Sequence, residues 1–297
     1  MLRESVNPIA IEDDETIERR GASGAKIIIG RKFTTKLDVE RTNGFVRRQG
    51  EWLSQFEDDR IILPRVSHTL SHGYVMETLE VPELPLPTNV MELVNHIITR
   101  LSEKLWPLRK PELNIIFSPK SHREYVDKLV NDVCVTGTDG DRRWLTAIMR
   151  DFERIVDFSS LHVGLTHGDC IVDNVAYRAV KDSRRSQLVL LDPIPATEAL
   201  PNLRAVDVGR LVQSAIGYES IRYTRNRGVT SYDDAVSAVL NAYMFRHFKV
   251  NEARACLYFA IIHMLRGVRT TDRGTAVRLG LWHLTNELIG VTKEWMR

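Results

Sequence analysis

Residues 165–174, LTHGDCIVDN, place a histidine, a glycine, two aspartates and an asparagine within a single short stretch. Asp169 and Asn174 stand in the spacing D-x-x-x-x-N, and further on Asp192 closes the apolar run QLVLLD. Phosphoryl transfer asks for a carboxylate that orients an acceptor hydroxyl, metal ions that neutralise the phosphates, and a cation that holds the nucleotide. Asp169 is a candidate for the first task. Asn174 and Asp192 are oxygen donors of the kind a hard cation such as Mg²⁺ takes. The bland alternative is a polar turn in which Asp and Asn bond local backbone. It loses ground because Asp192 and then Asp207 follow in order, so several residue types must agree at once.

The elements that would position these residues are readable from pattern. ETIERR, KIIIG and KFTTKL are short runs rich in Ile, Thr and Phe, separated by GASGA and by Gly30-Arg31, and they predict three consecutive antiparallel strands. Phe45, Gln49, Trp52 and Phe56 recur at helical spacing, which predicts one helix despite Gly50. Two apolar runs, IILPRV and GYVMETL, complete a small β-rich portion with one helix. Pro82, Pro85 and Pro87 then mark a boundary, dividing the chain into a lobe over 1–80 and a second over 81–297.

Beyond the boundary Val90, Val94, Ile97, Leu101 and Leu105 form one helical stripe, stopped at Pro107. Ser118-Pro119 reads as a cap followed by proline at the first helical position, and WLTAIMRDFERIVDF reads as a further helix. NVAYRAV and QLVLLD, joined by the polar KDSRRS, predict a hairpin, and the chain after Ala205 reads as helical.

Composition removes several function classes. The chain has 297 residues, 43% of them hydrophobic, with 41 Lys plus Arg against 39 Asp plus Glu, a formal charge of +2. That balance creates no field for nucleic acid. The acidic start and the lack of any stretch of about 18 apolar residues argue against a secretory leader or membrane span, so the cytoplasm is expected. Cys134, Cys170 and Cys256 are scattered and odd in number, which suits reduced structural thiols. Cys170 lacks a base partner set for nucleophilic work, and without HExxH or a Cys–His cluster zinc is not expected around His162 and His167.

HGDCIVDN, followed by LLDP and then VDVGRL, resembles the aminoglycoside phosphotransferase and choline kinase group of small-molecule kinases. The resemblance covers about residues 15–215 and fades in the last third. It implies an α+β, protein-kinase-like two-lobe fold, with a small antiparallel β N-lobe carrying one helix and a larger, mainly helical C-lobe. It implies that Asp169 is the catalytic base, that Asn174 and Asp192 bind metal, that His167 is a structural member of the loop, and that Asp207 buttresses it. GASGA, with Gly21, Ser23 and Gly24, falls where the family has its phosphate-covering loop. Lys36, with Lys32 as the fallback, would meet the phosphates and pair with Glu51, and backbone near Glu77 and Leu79 would meet adenine. ATP or GTP and Mg²⁺ are the implied cofactors, and a hydroxyl of a sugar, an aminoglycoside or an amino alcohol is the implied acceptor.

The family often has HGDLHPGN where this chain has Cys170 to Asp173 between the key residues, and Pro193 replaces the aromatic residue common after Asp192. Two other readings remain in view. A protein kinase of atypical type is disfavoured by Gly168 in place of the arginine of H-R-D, and by the short PIPATEALPNLRAV between Asp192 and Asp207. A catalytically inactive nucleotide-binding scaffold is disfavoured by the joint presence of Asp169, Asn174 and Asp192.

Overall fold

The structure is a computed structural model that describes residues 16–20, 24–39, 44–56, 62–80, 90–113, 115–133, 139–179, 186–222, 232–247, 249–272 and 275–297. Gly21 and Ser23 of GASGA, the prolines Pro82, Pro85 and Pro87, Cys134 and the hairpin tip at 181–185 lie outside the described residues. Two compact units are present, one from 1–81 and 176–195, the other from 82–175 and 196–297.

In the first unit the strands expected at the start of the chain are β1 (Ile17–Arg20), β2 (Lys26–Ile29) and β3 (Phe33–Leu37), paired antiparallel in sequence. β4 (Val66–Leu70) and β5 (Gly73–Glu77) complete a sheet of order β1-β2-β3-β5-β4. β4, an edge strand, begins at Val66, two residues beyond Pro64. β3 is interior, and it sets Lys36 opposite Tyr74 of β5 and Ile27 of β2.

Helix α1 (Phe45–Leu53) packs on β5 through a face that includes Val46, Gln49, Gly50, Trp52 and Leu53. Its amino end is held by Asp38, whose carboxylate accepts from the backbone N–H groups of Val46 and Arg47, each at 2.9 Å. Glycine inside a helix costs about 1 kcal/mol relative to alanine. At Gly50 a Cβ would lie 2.6 Å from Tyr74 Cβ, so the close approach of helix to sheet requires the residue that propensity disfavours.

The expected hairpin is β6 (Val175–Ala179) paired with β7 (Ser186–Leu190). Arg178 anchors it to the rest of the first unit, bonding the Glu77 carboxylate and donating to the carbonyl of Leu63 at 2.8 Å. Leu190 N–H donates to the Ile62 carbonyl at 2.6 Å, and Glu80 and Tyr177 exchange backbone bonds of 3.1 and 2.8 Å.

The second unit is helical among its described residues: α2 (Val90–Lys104), α3 (Pro119–Val133), α4 (Asp139–Ile155), α5 (Arg204–Ala215), α6 (Tyr218–Arg222), α7 (Tyr232–His247), α8 (Val250–Arg269) and α9 (Ala276–Trp295). Val94, Ile97, Leu101 and Leu105 of the stripe are fully buried. Ser118 caps α3, its Oγ accepting from Ser121 N–H at 3.2 Å, and Thr275 caps α9 in the same way. The core is built on α5 against α8, both buried on almost every side. Gly209 permits their approach, since a Cβ there would lie 2.8 Å from the Ala260 nitrogen. No helix among the described residues is long and apolar enough to cross a membrane.

Candidate functional site

The loop that carries HGDCIVDN belongs to the second unit and turns into β6 through a 3-10 turn at Val172–Asn174. Gly168 adopts φ 76, a left-handed conformation that a larger side chain in its place would strain. Asn174 Nδ2 donates to the Asp169 carbonyl at 2.8 Å and to its carboxylate Oδ2 at 3.0 Å. Both bonds use the amide nitrogen, and the Asn174 carbonyl oxygen has no partner among the described residues.

Asp207, near the start of α5, grips the same loop. Its carboxylate accepts from Gly168 N–H at 2.7 Å, His167 N–H at 3.0 Å and Trp106 Nε1–H at 2.9 Å. Complete burial raises its pKa from the ordinary value, while His167 and these donors hold it down. His167 is fully buried, and its Nδ1 accepts from Asp169 N–H at 3.3 Å. Cys170 is also enclosed: its thiol donates to the Asp207 carbonyl at 3.2 Å, and burial, with Asp207 beside it, pushes the thiol pKa far up. It packs as a buried free thiol.

Arg210, which the sequence reading did not single out, forms an ion pair with Asp169 Oδ1. It lies three residues beyond Asp207 on α5 and is buried, and it also donates to Gln213. Burial works against its charge, but Asp169, with Tyr218 and Cys170 contributing, outweighs that and leaves its pKa above the ordinary value. The signal was present in VDVGRLVQSA: a lone cation in a helix buried on all sides has to be paired.

In the first unit Lys36 is 3% exposed. Its ammonium donates to Asp192 Oδ1 at 2.6 Å and to Gln49 Oε1 at 3.2 Å. Gln49 Nε2 in turn donates to the Pro193 carbonyl at 2.7 Å, so α1, β3 and the segment after β7 meet at one ammonium. The expected pairing of Lys36 with Glu51 is corrected by this geometry. Glu51 is exposed and faces Arg47 one turn back at 3.5 Å. Two residues on a helix are separated by about 200° of rotation, so once Gln49 faces the strand Glu51 cannot. Gln49 was visible as the polar member of the stripe Phe45, Gln49, Trp52, Phe56.

Asp192 has φ 58, the only non-glycine residue with positive φ among the described residues. Strain of this kind clusters where a side chain must be aimed. Glu77 is held by Arg178 and Arg65, which bring its carboxyl below the usual range against the effect of burial. Its backbone N–H donates to the Arg65 carbonyl at 3.0 Å, so that group is already engaged. Leu79 is half-buried just beyond β5, and Gly24, with φ 85, sits between β1 and β2.

Asn174 in the second unit and Asp192 in the first are each an oxygen donor of the kind a hard cation takes. The Asn174 side-chain oxygen has no partner among the described residues, and the Asp192 carboxylate, 41% exposed, is matched to the Lys36 ammonium. Mg²⁺ is commonly held by one or two carboxylates plus substrate phosphates rather than by an all-protein cage. No group of three or more His, Cys, Asp or Glu that could hold a metal occurs among the described residues.

No protein-family model and no curated protein matches the sequence. Solved structures do. An ethanolamine kinase from Plasmodium vivax is 12% identical with a TM-score of 0.60, covering 94% of this chain and 84% of its own. A choline kinase from Streptococcus pneumoniae is 11% identical with a TM-score of 0.58, covering 94% of both chains. An ADP-bound aminoglycoside phosphotransferase is 14% identical with a TM-score of 0.54, covering 96% of this chain and 95% of its own. The fold is therefore α+β and protein-kinase-like. It is the fold of the choline and ethanolamine kinases and aminoglycoside phosphotransferases, the group that HGDCIVDN and LLDP resemble.

Proposed function

We propose that the protein is a phosphotransferase dependent on ATP, or GTP, and on Mg²⁺, which transfers the γ-phosphoryl group to a hydroxyl of a small molecule. The observation that carries this reading is the fixed carboxylate of Asp169. Arg210 and Asn174 hold one oxygen each, and Asp207 locks the loop backbone from behind. A hydroxyl facing Asp169 is aligned for attack, and the carboxylate takes its proton as the new O–P bond forms. The bond from the γ-phosphorus to the bridging oxygen breaks, and the nucleoside diphosphate leaves with the electron pair.

Lys36 grips the nucleotide phosphates, while Gln49 keeps the ammonium in place. Asn174 and Asp192 hold the Mg²⁺ ions, which when bound offset charge on the transferring group. Gly21, Ser23 and Gly24 cover the phosphates, and backbone at Glu77 and Leu79 meets the base. The first unit with its hairpin acts as the nucleotide lobe, and the second as the lobe of the catalytic loop and acceptor. A soluble intracellular setting suits such a reaction.

The test is mass-spectrometric detection of a phosphoryl gain across a panel of hydroxyl compounds, alongside ATP consumption. The wild-type chain should form product with Mg²⁺ and Asp169→Ala should not. Equal background turnover by both, with every compound offered, would refute the proposal.

A further inference from the structure

Around Asp169 the second unit holds buried cationic and hydrogen-bond-donating groups that lack acceptors among the described residues. Arg210 spends its two terminal nitrogens on Asp169 and Gln213, yet its Nε is enclosed without an acceptor among the described residues. The same holds for Nε2 of Gln213, a residue with no exposure at all. On α8, Arg266 donates from Nη1 to His263 Nδ1 at 3.2 Å and has no carboxylate partner among the described residues.

His263 cannot supply that counter-charge. Its Nε2–H donates to the Val206 carbonyl at 3.1 Å, which leaves Nδ1 as the acceptor. Burial, with Arg210 and Arg266 beside it, drives its pKa well below the ordinary 6.5. The Arg266 guanidinium is itself pushed below its ordinary value, first by burial and then by Arg210 and Arg269, with Tyr125 and Asp169 opposing. A guanidinium placed among like charges, resting on a neutral imidazole, is short of an anion.

We infer that Arg266, together with Arg210, binds an anionic group on the phosphoryl acceptor, a carboxylate or a phosphate, so that the acceptor is a hydroxy acid or a phosphorylated alcohol. This rests on the phosphotransferase reading and narrows its acceptor. The planar fork of arginine matches carboxylate and phosphate oxygens two at a time. An ammonium alcohol would instead bring a cation and further donors to a region already rich in both, which selects against it.

The test is calorimetric binding of glycerol, glycerate, glycerol 3-phosphate and 2-amino-1,3-propanediol to the full chain in the presence of Mg²⁺ and ADP. Glycerate or glycerol 3-phosphate should bind at least about tenfold more tightly than glycerol or the amine, and the two anionic probes distinguish a carboxylate from a phosphate. Arg266→Gln should abolish the preference while leaving the glycerol response unchanged. Should that variant fail to fold, Arg266→Lys should weaken the tighter anionic probe with ADP affinity intact. Tightest binding of the amine, indifference to charge, or an anion preference that survives substitution of Arg266 overturns the inference. Asp169-dependent ATP consumption is measured separately: its loss overturns the phosphotransferase reading, whereas its presence beside an anion-indifferent site overturns this inference alone.

Discussion

Two carboxylates central to the proposed chemistry are each paired with a cation, and the pairs are built differently. Asp192 is 41% exposed, stands on strained backbone, and meets a buried lysine. Asp169 is 16% exposed and meets an arginine that is 9% exposed, with Asn174 on its other oxygen. An ammonium is a compact point charge that another cation can replace, whereas a guanidinium fixes direction. The first arrangement suits a ligand that exchanges partners during a reaction cycle, the second a base whose aim must not drift.

The largest effect that would test this contrast is catalytic. Asp169→Ala should lower product formation by about 10²–10⁴-fold, the usual contribution of a positioned base, measured as initial rates with saturating nucleotide. A variant that keeps its rate would remove the distinction between the two pairs.

Stability should separate the pairs next. Arg210→Met strands Asp169 in an enclosed site and should cost about 3–5 kcal/mol. Lys36→Met leaves a carboxylate that water can reach and one unmatched Gln49 oxygen, for about 1–3 kcal/mol. Urea unfolding of the two variants gives the order, and the reverse order would break the comparison. Gly50→Ala should cost about 1–3 kcal/mol by overpacking against Tyr74, although alanine is the better helix former; a stabilised variant would refute the packing account.

The enclosure around Arg210 also predicts acid sensitivity. His263 has a depressed folded pKa, so below about pH 6.5 the unfolded chain binds a proton that the folded chain refuses. Stability is then lost as pH falls through that value, by at most about 1.4 kcal/mol per pH unit for one group. Replacing it as His263→Gln should flatten the dependence between pH 7 and 5.5. The smallest effect belongs to Asp192. Asp192→Ala and Asp192→Asn both remove the charge, but asparagine tolerates the left-handed backbone, so the alanine variant should be less stable by about 1 kcal/mol.

Much of this architecture was legible in the sequence because its signals are local. The strands before Leu37, the stripe from Val94 to Leu105 and the cap at Ser118 each follow from neighbours in the chain. The order of Asp169, Asn174 and Asp207 pointed to one loop and its support. What was not legible depends on which way a helix turns its polar residues. Gln49 and Glu51 are both reasonable partners for a lysine until Gly50 is seen to press on Tyr74, which fixes the rotation of α1. Arg210 was hidden in the same manner, since the facing of α5 toward the loop is decided by Gly209 against α8. The left-handed backbone at Asp192 had no signal of its own, proline after it being a cue for extended structure.

The tie between α1 and its sheet also bears on the freedom of Lys36. Asp38 holds the first turn of the helix one residue beyond the strand that carries Lys36, and Gly50 seats the helix on Tyr74. Lys36 and Gln49 therefore ride on a single stiff frame, and withdrawing the helix would break the Asp38 bonds and the Tyr74 packing together. A chain built this way has no inexpensive alternative position for Lys36, because the helix cannot leave the sheet without losing both sets of contacts.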